Sequence, residues 1–262
     1  MSLLSRLAGA VAAVLALSAC STGPAATSSP DATTTAAAPS SEAADAFPVT
    51  VTHALGEAVI EAEPTRIATI GWTDHETLVS LGVVPVGAVE ITWGGNAEGS
   101  TDWFDAKADE LGVKDGDIAR YDDSAGIPFD DIAATRPDLI LGLSSGVSKE
   151  DYDKLSKIAP VVPYTVAPWG TPWQDQLEAI GQALGRPTQA AALEASTTKT
   201  IADAVAANPQ LKGKSAAWAW FSPTDLSTIG LYTTADLRPQ MLREFGLVDS
   251  PTVAELSKTD PT

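Results

Sequence analysis

From Phe47 to Ala62 apolar and polar residues alternate around Gly56, with Val49 and Val51 before it and Ala58 and Ile60 after it, a period-two hairpin pattern. After Pro64 the period changes. Ile67–Ile70 reads as a short buried strand, and Thr73-Asp74-His75-Glu76 has capping-box spacing at a helix start. Leu78 and Leu81 continue that helix, Gly82 offers its C-cap, and Val83–Val89 gives a second strand interrupted by Pro85. The unit recurs: a short helix over Ile127–Arg136 stopped by Pro137, then strand Leu139–Leu141. Ser148 opens a helix carrying Tyr152, Leu155, Ile158 and Ala159, and Val161–Tyr164 follows as a strand. Short apolar strands alternating with helices predict an α/β fold with a parallel sheet.

The longest helical stretch comes next. Thr171-Pro172 places a cap residue before a proline, Leu177, Ile180 and Leu184 line one face, and Gly185-Arg186-Pro187 breaks it. Residues 188–207 then run as a long helix, suited to connect two lobes. Beyond Gly213 the α/β pattern resumes with strand Ala216–Phe221, an extended segment near Ile229–Tyr232 and helix Arg238–Phe245. The chain then reaches Thr262 with no closing strand or helix expected, so the second lobe reads as incomplete.

The N-terminus has a different composition. Residues 1–19 carry one charge, Arg6, and then a thirteen-residue run of apolar or small residues, a secretory leader too short to span a bilayer. Leu17-Ser18-Ala19-Cys20 looks like a lipobox, in which the only cysteine of the chain becomes the acylated (palmitate-bearing) residue; an ordinary leader cleavage with Cys20 incidental is the alternative. Of the 26 residues at 21–46, 22 are Ser, Thr, Ala or Pro, which cannot bury enough apolar surface to fold. As a flexible coil this tether reaches roughly 28 Å. Net charge is −18, and loss of Arg6 makes it one more negative; no Lys/Arg cluster exists, so nucleic acid is excluded as a partner. Seven tryptophans in a body this small point to either a large core or a stacking surface.

Four stretches, RIATIGWTDHETLVSLGVVPVGA (66–88), TRPDLILG (135–142), EDYDKLSKIAPVVPY (150–164) and PWQDQLEAIGQALGR (172–186), carry a resemblance. In their order and spacing the body resembles the iron–siderophore substrate-binding lipoproteins of bacterial ABC importers, in the helical-backbone class of periplasmic binding proteins. The resemblance implies two α/β lobes joined by a long connector helix, with the ligand cleft between them. It divides the chain into a leader at 1–19, lipidated cysteine and linker at 20–46, an N-terminal lobe at 47–171, connector helices at 172–207 and a partial C-terminal lobe at 208–262. It also implies a ferric siderophore and an ABC permease as partners, a monomer held on the extracytoplasmic face by its lipid, and no cofactor beyond the iron inside the chelate. The permease-docking carboxylate of the first lobe aligns with Asp130, where the family usually has glutamate; a carboxylate favoured by its helix N-terminus is the other reading of that residue.

Ligand contacts should come from loops beyond the C-terminal ends of the strands. That rule selects Trp72, Trp93 and Trp169, then the pair Arg120 and Tyr121, and in the second lobe Trp220, Tyr232 and Arg238. Trp218 and Trp220 share one strand face, so at least one is expected in the core, and Trp173, on a first helical turn, is expected to pack. Only Arg120 and Arg238 are suitable cleft cations, which favours a neutral or weakly charged chelate of the hydroxamate type over an anionic ferric catecholate. Haem or cobalamin are alternative chelates. Direct metal capture is disfavoured because the only histidines are His53 and His75 and no other cysteine exists. Gly142-Leu143-Ser144-Ser145-Gly146 matches G-x-S-x-G after a strand, the mark of a serine hydrolase, but both histidines precede Ser144, against the order of that triad.

Overall fold

The computed structural model describes residues 47–222 and 224–259; the leader, Cys20 and the linker lie outside them. The elements are β1 (Val49–His53), β2 (Gly56–Ile60), β3 (Ile67–Thr69), α1 (Asp74–Ser80), β4 (Gly87–Val89), α2 (Asp102–Glu110), β5 (Ala119–Tyr121) and α3 (Phe129–Ala134). They continue with β6 (Leu139–Gly142), α4 (Lys149–Leu155), β7 (Val161–Pro163), α5 (Trp173–Ala183) and α6 (Pro187–Ala207). The last set is β8 (Ser215–Ala216), β9 (Ala219–Phe221), β10 (Ile229–Leu231), α7 (Leu237–Glu244), β11 (Val248–Asp249) and α8 (Pro251–Thr259). None of the described helices is long and apolar enough to cross a membrane.

β3 to β7 form one parallel sheet in the order β5-β4-β3-β6-β7. β4, β6 and β7 are apolar along their whole length because both faces of the sheet are covered there, as parallel sheets require. Leu139 and Leu141 of β6, Ile67 of β3 and Val162 of β7 join Leu78, Leu177 and Ile180 in one core. Their strand neighbours Ile140, Ala68 and Val161 point the other way, toward Ile132 and Leu155. Chain order reverses between the adjacent strands β3 and β6, so a crevice opens at their C-terminal ends. The β1–β2 hairpin packs on the first of these cores through Val51, Ala58 and Ile60.

α5 and α6 meet tightly where Gly181 faces Ala190; a Cβ on Gly181 would overlap the Ala190 methyl. Arg186 and Gln189 both donate to the Leu81 carbonyl, at 2.9 and 3.2 Å, which fastens the start of α6 to the end of α1. α6 then leaves the sheet. At 21 residues it is about 31 Å long, and Ala190 is its one fully buried residue.

Several local expectations change. Thr73 precedes α1 but does not cap it; its hydroxyl instead meets Ser144 Oγ at 2.6 Å. Thr171 does not cap α5 either, because its hydroxyl accepts the Thr165 N–H and the helix begins beyond Pro172. The strand expected over 83–89 shrinks to Gly87–Val89, since Pro85 has no N–H to give the ladder. The helix expected to run through Ala159 ends at Leu155, and Ile158 and Ala159 pack from the turn that follows. α2 and β5 were not anticipated. Thr101 caps α2 by accepting the Phe104 N–H, and Phe104 and Ala108 are buried. The strand expected over Ala216–Phe221 is two strands in separate sheets: β8 pairs in parallel with β11, and β9 pairs antiparallel with β10. Closing elements do exist near the C-terminus, β11 and α8, and the missed signal for α8 is Ser250 before Pro251.

Two adjacent residues of α1 carry opposite titration behaviour. Asp74 is fully buried and desolvation pushes its carboxyl up to about 6. His75 is buried against Phe104, neither ring nitrogen has a hydrogen-bond partner, and desolvation, with Arg120 nearby, lowers it to about 4. The folded state therefore takes a proton at Asp74 as pH falls below about 6, which stabilises it relative to the unfolded chain. The unfolded state takes one at His75 as pH falls below its ordinary value of 6.5, which destabilises the fold down to about 4. The two slopes oppose each other across this window. Replacing His75 by Phe removes its slope and keeps that of Asp74. Urea melts at pH 7 and pH 4.5 should then show H75F gaining on the order of 2 kcal/mol relative to the parent on acidification; parallel pH profiles would refute the assignment.

Candidate functional site

The loops leaving β3 and β6 meet at the switch point. Trp72, in the first, donates its N–H to the Ser144 carbonyl of the second at 3.0 Å. The loop after β7 folds back over both. Trp169 there donates its N–H to the Ser145 carbonyl at 3.0 Å and takes a positive φ of 57°, a left-handed conformation that a tryptophan rarely adopts. Its own carbonyl accepts the Leu237 N–H at 2.8 Å, at the start of α7, and Gly170 O accepts from Gln240 at 3.0 Å. α7 thereby delivers Arg238 to the tryptophans.

Arg238 is the centre of the site. Its guanidinium carbon lies 3.8 Å from the Tyr232 ring centroid, 5.6 Å from Trp169 and 6.0 Å from Trp72. It does not project a free charge. Asp236, the N-cap of α7, receives its Nε at 2.7 Å and Nη2 at 2.6 Å, a bidentate pair, and also the Arg238 backbone N–H. Both side chains are largely buried, so the charge is neutralised locally. The guanidinium instead offers a flat cationic face to rings.

In front of this lies an open cavity of about 220 Å³ lined by Ile70, Trp72, Val89, Glu90, Thr92, Trp93, Asp123, Trp169 and Arg238. The exposures are 37% for Trp72 and Trp169 and 72% for Trp93, so three indoles face solvent across it. Glu90 and Asp123 add two carboxylates to the wall. A larger cavity of about 320 Å³ sits among α1, α5, α6 and α7 and is lined by helix residues apart from Thr73; Trp173 packs there, half-buried. The smaller cavity is the better site because strand-end loops, aromatic faces and Arg238 converge on it.

Of the eight residues selected from sequence, Trp72, Trp93, Trp169 and Arg238 line this cavity, and Tyr232 stacks on Arg238 behind it. Arg120 and Tyr121 belong to β5 rather than to a loop. Tyr121 is buried, with its hydroxyl over Gly87 and 2.8 Å from Thr135 Oγ1. Arg120 packs over Phe104 near Asp105, at 5.3 and 3.8 Å. Trp220 stands on the β9–β10 hairpin over Gly230 and does not line the cavity. Neither Trp218 nor Trp220 is in a core; each is exposed. Sequence reasoning missed Glu90, Thr92 and Asp123, although Glu90 directly follows a strand as the same rule required. Asp130 lies in the first turn of α3 beside Asp131, both exposed.

The serine hydroxyls of the G-x-S-x-G loop are engaged in structural hydrogen bonds. Ser144 Oγ lies 2.6 Å from Gln176 Oε1 and from Thr73 Oγ1, and Ser145 Oγ donates to the Gly142 carbonyl. Their partners are Thr73, Gln176 and the Gly142 carbonyl, and none is a histidine of the kind a hydrolase triad uses as base. Among the described residues no group of three or more His, Cys, Asp or Glu side chains is placed to hold a metal ion.

Strand-end loops and three tryptophans wall a crevice at the sheet's switch point, the place where open α/β sheets receive ligands. The periplasmic binding protein family model matches residues 67–250, and the chain belongs to that family. The probable siderophore-binding lipoprotein YfiY of Bacillus subtilis is 32% identical over 157 residues, 59% of this chain and 44% of its own length. The chain thus spans less than half of that relative. Among solved structures, PiaA of Streptococcus pneumoniae TIGR4 in complex with ferrichrome is 34% identical with a TM-score of 0.74, covering 81% of this chain and 71% of that one. A periplasmic solute binding protein of Mycobacterium smegmatis is 29% identical with a TM-score of 0.62, covering 77% and 68%.

Removing the Tyr121 hydroxyl tests how the site is bounded. Thr135 donates to the Ile132 carbonyl, so Tyr121 is the donor to Thr135. Y121F should lower unfolding free energy by about 1 kcal/mol and leave cavity ligands bound within about twofold, a limit below the usual weight of one hydrogen bond. A large loss of affinity at unchanged stability would place Tyr121 in the site.

Proposed function

We propose that this protein is a lipid-anchored, extracytoplasmic binding protein that captures a ferric siderophore and hands it to an ABC permease. The observation that carries the reading is the cavity that Trp72, Trp93, Trp169 and Arg238 line together at the switch-point crevice, in a family member 34% identical to PiaA, whose structure contains ferrichrome. The lipoprotein relative YfiY supports the anchor at Cys20 and the extracytoplasmic location. In this reading residues 47–171 form the first lobe, 172–207 the connector and 208–262 part of the second lobe. The protein acts as a monomer without a cofactor, and the iron arrives already enclosed in its chelate.

Charge refines the cargo. Arg238 is neutralised by Asp236, and the cavity wall adds Glu90 and Asp123, so the site as a whole is acidic. Three hydroxamates balance ferric iron, whereas three catecholates leave a triply negative complex that this wall repels. The reading is therefore a neutral or cationic chelate, held by stacking on indoles and by the guanidinium face. Asp130 remains the proposed permease contact, supported by its exposure on the first turn of α3.

Titrating intrinsic tryptophan fluorescence with ferrichrome as the hydroxamate probe and with a ferric tris-catecholate tests this directly. Ferrichrome should quench and bind at least about 100-fold more tightly, the scale of a few kcal/mol of charge repulsion; preference for the catecholate would overturn the charge argument. W169A and R238A should each weaken ferrichrome by about 2 kcal/mol or more, as central anchors do. D130K should abolish uptake in cells while ferrichrome affinity stays unchanged; lost affinity would remove Asp130 from the permease face.

A further inference from the structure

The G-x-S-x-G loop is held by side chains on both sides. Both oxygens of the buried Asp74 carboxylate accept its amides, Leu143 N–H at 2.9 Å and Ser144 N–H at 3.1 Å. Gly71 leaves the room that Asp74 needs, since a Cβ there would collide with the carboxylate. Ser144 Oγ is clamped by Gln176, whose amide donates to the Thr171 carbonyl at 2.8 Å, and Ser145 Oγ closes the turn on Gly142.

What the loop offers outward is equally specific. Its two successive carbonyls, Ser144 and Ser145, accept the backbone amides of Trp72 and Trp169, both at 3.0 Å. Gly146 then supplies a seat for one indole: a Cβ on Gly146 would stand 2.5 Å from Trp169 Nε1. Its φ is not positive, so the glycine serves the indole's approach rather than the backbone.

We propose that loop 142–146 is a template that sets the separation and tilt of Trp72 and Trp169, with Gly146 and Asp74 as its positioning residues. Neither touches cargo. Each acts through the tryptophans, so the inference rests on the reading that these two rings hold the chelate. Trp169 is partly exposed and can swing away from an added methyl, so disturbing the template should alter recognition far more than stability.

The test labels the protein with 5-fluorotryptophan, assigns the Trp72 and Trp169 resonances from W72F and W169F, and compares the parent with G146A. G146A should shift the Trp169 resonance without ligand and weaken ferrichrome binding by about tenfold, the scale of coupling between touching residues, while the thermal midpoint moves only a few degrees. G146A in a W169F background should cost little further affinity. An unmoved Trp169 resonance, or losses that simply add, would overturn the proposal. Should G146A not fold, D74N decides. It must move the Trp169 resonance as well as that of nearby Trp72, because the loop is the link between them; movement of Trp72 alone refutes the template. If the parent itself ignores ferrichrome, the cargo reading fails and the fluorine shifts alone judge the template.

Discussion

The molecule is organised around a buried carboxylate. Asp74 closes the first turn after β3 and reaches across the switch point to the amides that leave β6. Without such a tie, two parallel strands that send their chains in opposite directions would leave a gap lined by unpaired amides, which burial penalises heavily. Desolvation makes the carboxylate costly to ionise there, and its accepted hydrogen bonds offset part of that cost. The sheet, the two loops and the indoles above them share this one anchor.

Electrostatics shape the rest of the site. In a chain with a net charge of −18, an unpaired cleft arginine would attract every passing anion. Pairing with Asp236 changes what Arg238 is for. It ceases to be a charge trap and becomes a rigid plate, stacked on Tyr232 and edged by Trp169 and Trp72. In the proposed role, recognition would rest on shape and polarisability rather than on long-range attraction.

Much of this was legible in the sequence, and the reasons for the failures are physical. The central strands were readable because burial on both faces leaves unbroken apolar runs, as in Leu139–Leu141. The strand-end rule brought Trp72, Trp93 and Trp169 to one cavity because loops must carry them there whatever the packing. α2 was hidden because only Phe104 and Ala108 of its nine residues are buried, too few to write a period. Thr73 and Thr171 misled because a hydroxyl before a helix can cap or can bond elsewhere, and tertiary partners far along the chain decided both. Tyr121 was misplaced for a related reason: β5 is three residues long, and nothing local separates such a strand from a loop. The pairing of Arg238 with Asp236 was within reach, since a carboxylate two residues ahead at a helix start is a readable signal.

Trp169 answers to two parts of the protein at once. Its amide belongs to the sheet's loop, its carbonyl to α7, and its φ of 57° fits that double attachment. Trp93, by contrast, stands in a loop and is 72% exposed. The two rings therefore differ in how freely descent can alter them. A replacement at Trp169 falls on the joint between segments as well as on the cavity wall, whereas one at Trp93 bears on the wall alone. If the proposed role holds, divergence in cargo should accumulate around Trp93 and leave Trp169 as the fixed point against which new cargoes are fitted.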